Sequence, residues 1–391
     1  MIKKIQILFI LLFFSFCSLI GILTLDNNVT KSEIENRNLT TFPDLQLKQI
    51  KDEAYLDQIT NAFNDQLQYR GYFVKNYFNL LNKVGKQNYL GTTIIGKENY
   101  LFREPEIILD WDEYEKELIQ YAELINKKAN KVCKSHPGLK FIYINYPRKD
   151  IAMPKYLPEK YPYNINIYKK SLSTVKKHLS DKVILIDAYE VFKNSGLLNK
   201  CYYRSDHHVN EIGQQAIYAE VMKVIKQEHS HVPIYTLDKY YMEKQNFVGS
   251  FDSQIGRILV NEKPKESVIK GMKKQLNFTR YEKGRRVNSR LFERRNDYLR
   301  YMGGDKRETR IDTNNKDLPN LLISGSSYTN SLETLLVPNV NRMVAVDYRY
   351  GETEKSLEYY VKKYNVEYFI LVPNQSDTLF SLEALKTHLG E

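Results

Sequence analysis

Apolar segments of β type alternate with helical segments along much of this chain. Each apolar segment is continuous and bounded by turn or polar residues, as expected for strands buried on both faces of a parallel sheet. They are LKFIYINYP (139–147), VILIDA (183–188), NLLIS (320–324), RMVAV (342–346) and EYFILV (367–372). Helical patterns follow the first of them, in YKKSLSTVKKHL, and separate the last two, in TEKSLEYYVKKY (353–364). This alternation predicts an α/β domain with a central parallel sheet.

The N-terminus carries an apolar segment of a different kind. Residues 5–25 contain no charged side chain, follow Lys3 and Lys4, and end at Asp26. A segment of this length crosses the ~30 Å hydrocarbon core of a bilayer, and no small-residue cleavage site follows it. The two lysines favour a cytoplasmic N-terminus. We therefore expect residues 1–26 to form a signal anchor with an extracytoplasmic body; the alternative, a cleaved signal peptide, also predicts export.

Between the anchor and the first strand the chain is polar and then helical. Residues 27–60 are rich in turn formers and predict an extracytoplasmic stalk, so the main domain would span residues 61–391. A helix is predicted over 52–83, with one apolar face formed by Leu56, Ile59, Phe63, Leu67 and Tyr69. Asp110 begins a capping box for a further helix. Residues 230–310 interrupt the α/β alternation and predict a basic excursion from the domain.

The positive charge of the chain indicates which kinds of partner it could bind. The formal net charge is +11, and much of the excess lies in 263–310. Outside a cell, a basic, aromatic-rich face suits an anionic polymer, a sugar chain or a headgroup surface, whereas the predicted anchor argues against nucleic acid. The alternative is a solvated helix face. Three cysteines are too few for a disulfide framework, and Cys133 and Cys201 either pair or remain separate thiols.

A serine turn follows the strand predicted over 320–324. In SGSSYTNS (324–331) the serines lie where a strand ends and a helix begins, and Gly325 permits a tight turn. The N-terminus of a helix offers N–H groups to a developing oxyanion, which suits a nucleophilic serine. The alternative is that Ser326 and Ser327 only cap the helix.

A second polar segment, SDHHVNEIG (205–213), contains the groups that a nucleophilic serine requires. A serine needs an adjacent base, and a histidine oriented by a carboxylate supplies one. Asp206 and His208 lie two positions apart, and Asn210 is the expected cap of the next helix. A metal site formed by His207 and His208 with His229 and His231 is the alternative, but no helical HExxH-like spacing and no cysteine cluster supports it.

These segments resemble the SGNH-hydrolase superfamily, in the branch of alginate O-acetyltransferase-like proteins and the DHHW family of Gram-positive bacteria. SDHHVNEIGQQAIY resembles the family's Asp-x-His-Trp segment, and NLLISGSSYTNSLETLL resembles its nucleophile segment. Val209 stands where the family usually has Trp, and Ser326 where it has Thr or Asp. Further collinear matches are NRNLTTFPDL, FNDQLQYRGYF, IIGKENYLF, YINYPRKD, VGSFDSQIGRIL and YMGGDKRETRI.

The resemblance implies a three-layer α/β/α domain and a Ser-His-Asp triad. Ser327 would be the nucleophile, His208 the general base and Asp206 its orienting carboxylate. The groups implied in binding the oxyanion or substrate are Gly304, Tyr328, Arg349 and Asn374. No metal or cofactor is implied.

The implied activity is O-acetyl transfer to a cell-surface or exopolysaccharide through an acyl-enzyme. A membrane-bound O-acyltransferase is the implied acyl donor, and the implied location is the cell membrane, with a single span and an extracytoplasmic catalytic domain. An acetylesterase with the same triad and a non-catalytic polysaccharide-binding or assembly protein are the alternatives.

Overall fold

The computed structural model describes residues 2–32, 34–35, 37–84, 92–351, 355–374 and 378–390. The helices are α1 Ile2–Leu25, α2 Glu53–Gln66, α3 Arg70–Lys83, α4 Trp111–Ser135, α5 Lys149–Ala152, α6 Ile165–His178, α7 Ala188–Asn194, α8 Glu211–Glu228, α9 Ser250–Gln254, α10 Tyr328–Leu336, α11 Leu357–Tyr364 and α12 Leu382–Leu389. The strands are β1 Lys31–Ser32, β2 Arg37–Asn38, β3 Thr93–Ile95, β4 Leu101–Arg103, β5 Lys140–Asn145, β6 Val183–Asp187, β7 Tyr240–Gln245, β8 Glu266–Met272, β9 Thr279–Glu282, β10 Arg285–Val287, β11 Glu308–Asp312, β12 Asn320–Gly325, β13 Arg342–Val346 and β14 Tyr368–Val372.

The contacts divide the chain into two compact units. The first consists of Met1–Thr93 and Ser250–Val260, and the second of Ile94–Gly249 and Asn261–Glu391. The predicted boundary at residue 61 falls inside α2.

The second unit is built on an eight-stranded sheet in the order β10-β9-β11-β13-β12-β14-β5-β6. The strands β13, β12, β14, β5 and β6 are parallel. They are the strands predicted from the apolar segments, so the prediction of a central parallel sheet is confirmed. β11, β9 and β10 extend the sheet in antiparallel fashion. The basic segment of about 230–310 therefore supplies two strands, β9 and β10, to the main sheet.

Alternate side chains of the central strands enter cores on opposite faces of the sheet. Ile142 and Ile144 of β5 lie in one core, with side chains of α8 and α10. Phe141 and Tyr143 lie in the other, with side chains of α4, α6, α11 and α12. Because both faces are covered by helices, the strands carry continuous apolar sequences. The result is the predicted three-layer α/β/α arrangement, with Cys133 and Cys201 as free thiols.

The first unit differs from its prediction. The helix expected over 52–83 is two helices, α2 and α3, separated at Tyr69, which has a left-handed backbone with φ 61°. The expected apolar face is also wrong, since Leu56 is 44% exposed and Phe63 is 40% exposed. Residues 27–60, predicted as a stalk, include the β1–β2 pair and the first two turns of α2.

The helix α1 is long and apolar enough to cross a membrane. A signal sequence near the N-terminus meets the same criteria of length and composition.

Candidate functional site

The loop before α8 folds as a small hairpin. Tyr202 and Val209 form an isolated antiparallel bridge, and the Tyr203 N–H donates to the His208 carbonyl at 3.3 Å. Asn210 ends the loop as predicted, because its Oδ1 accepts from the Gly213 N–H at 3.2 Å and caps α8. The hairpin holds residues 204–207 in a short turn at its tip, which we call the Asp206 turn.

Buried groups from elsewhere in the second unit hold this turn. Lys149 Nζ donates to the carbonyl of Arg204 at 2.7 Å and to that of Leu101 at 2.6 Å. Lys263 Nζ donates to Ser205 Oγ at 2.5 Å, and both lysines are at least 90% buried. A buried ammonium group needs such acceptors to offset its lost hydration. Both lysines therefore fix the backbone beside Asp206.

Gly249 allows a very close approach to the same turn. Its N–H donates to Ser205 Oγ at 3.3 Å. A Cβ at Gly249 would lie 1.9 Å from the Ser205 carbonyl oxygen and 2.7 Å from the Asp206 nitrogen. Because those atoms belong to the backbone, any larger side chain would displace the turn.

The serine turn is held by the sheet and by α10. β12 ends at Gly325, where a Cβ would lie 2.5 Å from the Val372 carbonyl oxygen, as the predicted tight turn requires. The Ser326 N–H donates to that carbonyl at 3.3 Å, and Ser326 Oγ donates to the Asn374 carbonyl at 2.8 Å. Ser327 is half-buried and begins α10. The two serines therefore point to different partners.

Asp206, His208 and Ser327 form one hydrogen-bonded series. Asp206 Oδ1 lies 2.6 Å from His208 Nδ1 and also accepts from the His208 backbone N–H at 2.9 Å. His208 Nε2 lies 2.8 Å from Ser327 Oγ. A hydroxyl bonded to an imidazole, which is in turn bonded to a carboxylate, is the arrangement in which a serine hydroxyl loses its proton on attack.

Tyr298, which the sequence analysis did not single out, covers one face of the His208 ring. The two rings are parallel within 2°, with centroids 3.5 Å apart. The Tyr298 hydroxyl and Ser331 Oγ are 2.9 Å apart, and Ser331 lies on α10 one turn beyond Ser327. The tyrosine thus connects the histidine to the helix that carries the serine. It lies in a short 3-10 helix within a polar segment, so no local pattern points to it.

His207 lies beside the series without joining it. Its Nδ1 is 3.6 Å from Asp206 Oδ1 and its ring centroid is 3.8 Å from that of His208. Burial, followed by the neighbouring His208, lowers the pKa of His207 to about 3. Asp206, His207 and His208 offer potential metal ligands within 4.8 Å of one another. His208 already uses both ring nitrogens in contacts with Asp206 and Ser327, so metal ligation would disrupt the series.

The other residues predicted to bind the oxyanion or substrate make hydrogen bonds within the protein. The Gly304 N–H, expected to face an oxyanion, donates to the Tyr301 carbonyl at 3.0 Å. The Tyr328 hydroxyl donates to the His207 carbonyl at 3.0 Å, so this buried ring supports the Asp206 turn.

Asn374 and Arg349 also take part in contacts between loops. Asn374 pairs with the backbone of Tyr146, donating at 2.7 Å and accepting at 3.2 Å. Arg349 Nη2 lies 2.6 Å from Asp347 and 3.2 Å from Asp305, which also accepts from Asn330 of α10 at 2.7 Å. Both side chains connect loops at the carboxyl ends of the parallel strands, where the serine turn also lies.

Solved structures with the same fold come from bacteria. The chain is similar to a DHHW family protein from Eubacterium siraeum, at 19% identity and a TM-score of 0.57, over 76% of this chain and 99% of that one. It is also similar to Bacillus cereus PatB1 with a sulfonyl adduct, at 19% identity and a TM-score of 0.57, over 74% of this chain and 97% of that one. No curated protein matches in sequence.

A family model covers the middle of the chain. The model described as SGNH hydrolase-like domain, acetyltransferase AlgX, matches residues 93–298. The match includes Asp206 and His208 and ends before Ser327. The similar structures, which show the fold, extend the likeness to about three quarters of the chain. The chain therefore belongs to the family of acetyltransferase AlgX-type SGNH hydrolase-like domains.

Proposed function

We propose that this protein is a membrane-anchored, extracytoplasmic O-acetyltransferase that modifies a polysaccharide through an acyl-enzyme on Ser327. The observation that carries the proposal is the hydrogen-bonded series from Asp206 through His208 to Ser327. Membership of the acetyltransferase family supports the type of group transferred.

In the first half of the reaction, His208 Nε2 takes the proton of Ser327 Oγ while that oxygen attacks the acyl carbonyl carbon. The bond between the carbonyl carbon and the donor's leaving atom breaks, and the leaving group takes the proton from His208. Asp206 accepts the hydrogen bond of His208 Nδ1–H, which holds the required tautomer and stabilises the imidazolium. The product is an acetyl ester of Ser327.

The backbone at the start of α10 supplies the oxyanion site. Among the residues that the structure describes, the Ser327 N–H has no hydrogen-bond acceptor. It lies at the positive end of the α10 dipole, next to the atom that attacks. A preorganised donor at this position stabilises the charge that develops on the carbonyl oxygen.

In the second half, a sugar hydroxyl gives its proton to His208 and attacks the acetyl carbonyl. The bond from the carbonyl carbon to Ser327 Oγ breaks, and the serine oxygen recovers the proton from His208. A membrane-bound O-acyltransferase is the proposed donor, because the anchor places the enzyme at the membrane surface. The basic residues of 263–310 suit an anionic polysaccharide.

Ser327 and Ser326 form a matched pair for the test. The full chain, in detergent, is treated with an acetyl-ester probe, and the burst of product and the mass of the acetylated protein are measured. We expect Ser327→Ala to abolish the acetylated species and to lower turnover at least about a thousandfold. Ser326→Ala should still acetylate, because Ser326 Oγ contacts the Asn374 carbonyl and not His208.

Acetylation retained in Ser327→Ala would contradict the proposal, as would a wild-type protein that never acetylates. Addition of an oligosaccharide acceptor separates the two enzymatic alternatives. A transferase yields acetylated sugar at the expense of free acetate, whereas an esterase yields acetate regardless of the acceptor.

A further inference from the structure

The helix α3 exposes an aromatic and apolar surface, within which Asn76 and Lys83 are the polar residues. No side chain of this helix is buried, and each residue of the surface is between 39% and 67% exposed. The spacing places them on one side of the helix, in an arc of about 140°. We call this surface the α3 stripe, and it consists of Tyr69, Tyr72, Phe73, Tyr77, Leu80 and Val84.

The opposite side of α3 packs within the first unit. A Cβ at Gly71 would lie 2.6 Å from Cδ1 of Ile34, so this isoleucine rests on the helix backbone. A Cβ at Gly256 would lie 3.2 Å from the Cα of Lys75 and 3.4 Å from the ring of Phe78. The helix is therefore supported on one side, and the α3 stripe is the side left open to solvent.

Hydrogen bonds connect the start of α3 to the end of α1. The Gln68 N–H donates to Thr24 Oγ1 at 3.1 Å, and Thr24 belongs to the last turn of α1. Asn27 Nδ2 donates to the Gln66 carbonyl at 2.8 Å, and Gln66 Nε2 donates to the Val29 carbonyl at 2.9 Å. α3 begins only two residues after Gln68. Its first turn is therefore held near the level at which α1 ends.

We propose that α3 lies in the outer interface of the bilayer, with the α3 stripe in contact with lipid. This inference rests on the part of the proposed function that makes α1 a membrane span. A span over Lys4–Leu25 is ~33 Å long at 1.5 Å per residue, so its C-terminal end lies at the edge of the hydrocarbon core. The hydrogen bonds to Thr24 and Asn27 keep the α2–α3 corner at that edge.

The composition of α3 fits a lipid interface. Tyrosine is enriched at the headgroup level because its ring is apolar and its hydroxyl is polar. Phe73, Leu80 and Val84 supply the apolar area that enters the acyl boundary, ~5–10 Å deep for helices of this kind. Lys83 is exposed within the same arc of the helix, and its ammonium group can reach the lipid phosphates.

A single-tryptophan series tests the location of α3 in the full-length chain. The protein contains one tryptophan, Trp111, so Trp111→Phe gives a silent background. Tryptophan is then introduced separately at Phe14 in α1, at Tyr77 in the α3 stripe and at Tyr241, an exposed tyrosine of the second unit. Each variant is reconstituted in phosphatidylcholine vesicles with lipids brominated near the headgroup or near the end of the acyl chain.

We expect the Tyr77→Trp emission to fall about twofold with shallow bromines and less with deep ones. Phe14→Trp should show the reverse depth preference, and Tyr241→Trp should remain bright. Equal emission from Tyr77→Trp and Tyr241→Trp, together with quenching of Phe14→Trp, would overturn the interfacial helix while leaving the anchor intact. An unquenched Phe14→Trp would overturn the anchor and the inference with it, and neither outcome bears on acetylation of Ser327. The inference would also be overturned if Tyr77→Trp became buried only when the protein forms dimers. In that case a second copy of the chain, and not lipid, would cover the α3 stripe.

Discussion

The two segments that meet at the candidate site are held in place by different means. The Asp206 turn is held from outside, by Lys149, Lys263 and the close approach of Gly249. The serine turn is held by regular structure, since it joins the central strand β12 to α10 and bonds the adjacent strand β14 through Ser326. The position of Asp206 and His208 therefore depends on a few contacts with distant segments, whereas the position of Ser327 depends on the sheet. Each of the two segments can thus be perturbed separately.

The largest effect on kcat is expected for a substitution of Asp206 itself. Asp206→Asn keeps the size of the side chain but presents a donor to His208 Nδ1, which favours the wrong tautomer. We expect kcat for the acetyl-ester probe to fall about 10⁴-fold. His207→Ala is the matched neighbour, and should lower kcat less than about tenfold because the His207 carbonyl that accepts from Tyr328 remains. Equal losses in both variants would contradict the assignment of Asp206.

A smaller effect on the rate is expected for a substitution of Gly249, which lies against the Asp206 turn. Gly249→Ala forces the Ser205 carbonyl to move, and a displacement of about 1 Å at a catalytic group can cost about 100-fold in rate. The control is Gly271→Ala in β8, because a Cβ there meets nothing within 4 Å. Burst kinetics and thermal melting are measured for both variants. If both glycines tolerate alanine equally, the turn does not depend on the close approach.

The smallest effect is expected at Tyr298, which connects the two segments. Tyr298→Leu removes the aromatic face from His208 and should lower kcat about tenfold with KM unchanged. Tyr298→Phe keeps the stacked ring and loses only the contact with Ser331, so its kcat should lie between those of wild type and Tyr298→Leu.

Ser331→Ala is the control for that contact. The kcat of Ser331→Ala should match that of Tyr298→Phe. The double variant should lose no more kcat than either single variant, since both substitutions remove the same hydrogen bond. A rise in KM with kcat unchanged would instead make Tyr298 a substrate contact.

The sheet and the serine turn could be predicted because their sequence signals are local. A strand buried on both faces is a continuous apolar segment in the sequence. The start of α8 is indicated by Asn210, whose side chain caps the helix. The pairing of Asp206 with His208 is also local, at two positions in sequence.

The supports of the Asp206 turn could not be predicted, because they depend on distant chain segments. Lys149 and Lys263 look like ordinary surface lysines in the sequence, and Tyr298 is one of 31 tyrosines. The break between α2 and α3 was missed for another reason. It occurs at Tyr69, a residue type that seldom adopts a left-handed backbone, and the nearest glycine, Gly71, lies inside α3 and not at the break.

The strand order has a consequence for the sequence in which the parts of the candidate site form. Ser327 follows His208 by 119 residues, and β12 lies between β13 and β14, which both come later in the chain. The first of these neighbours, β13, is complete only at Val346, and the second, β14, only at Val372. The Asp206 turn and its supports, all within residues 149–263, are therefore synthesised before either strand that flanks β12, so the serine turn is the last part of the candidate site to gain its support.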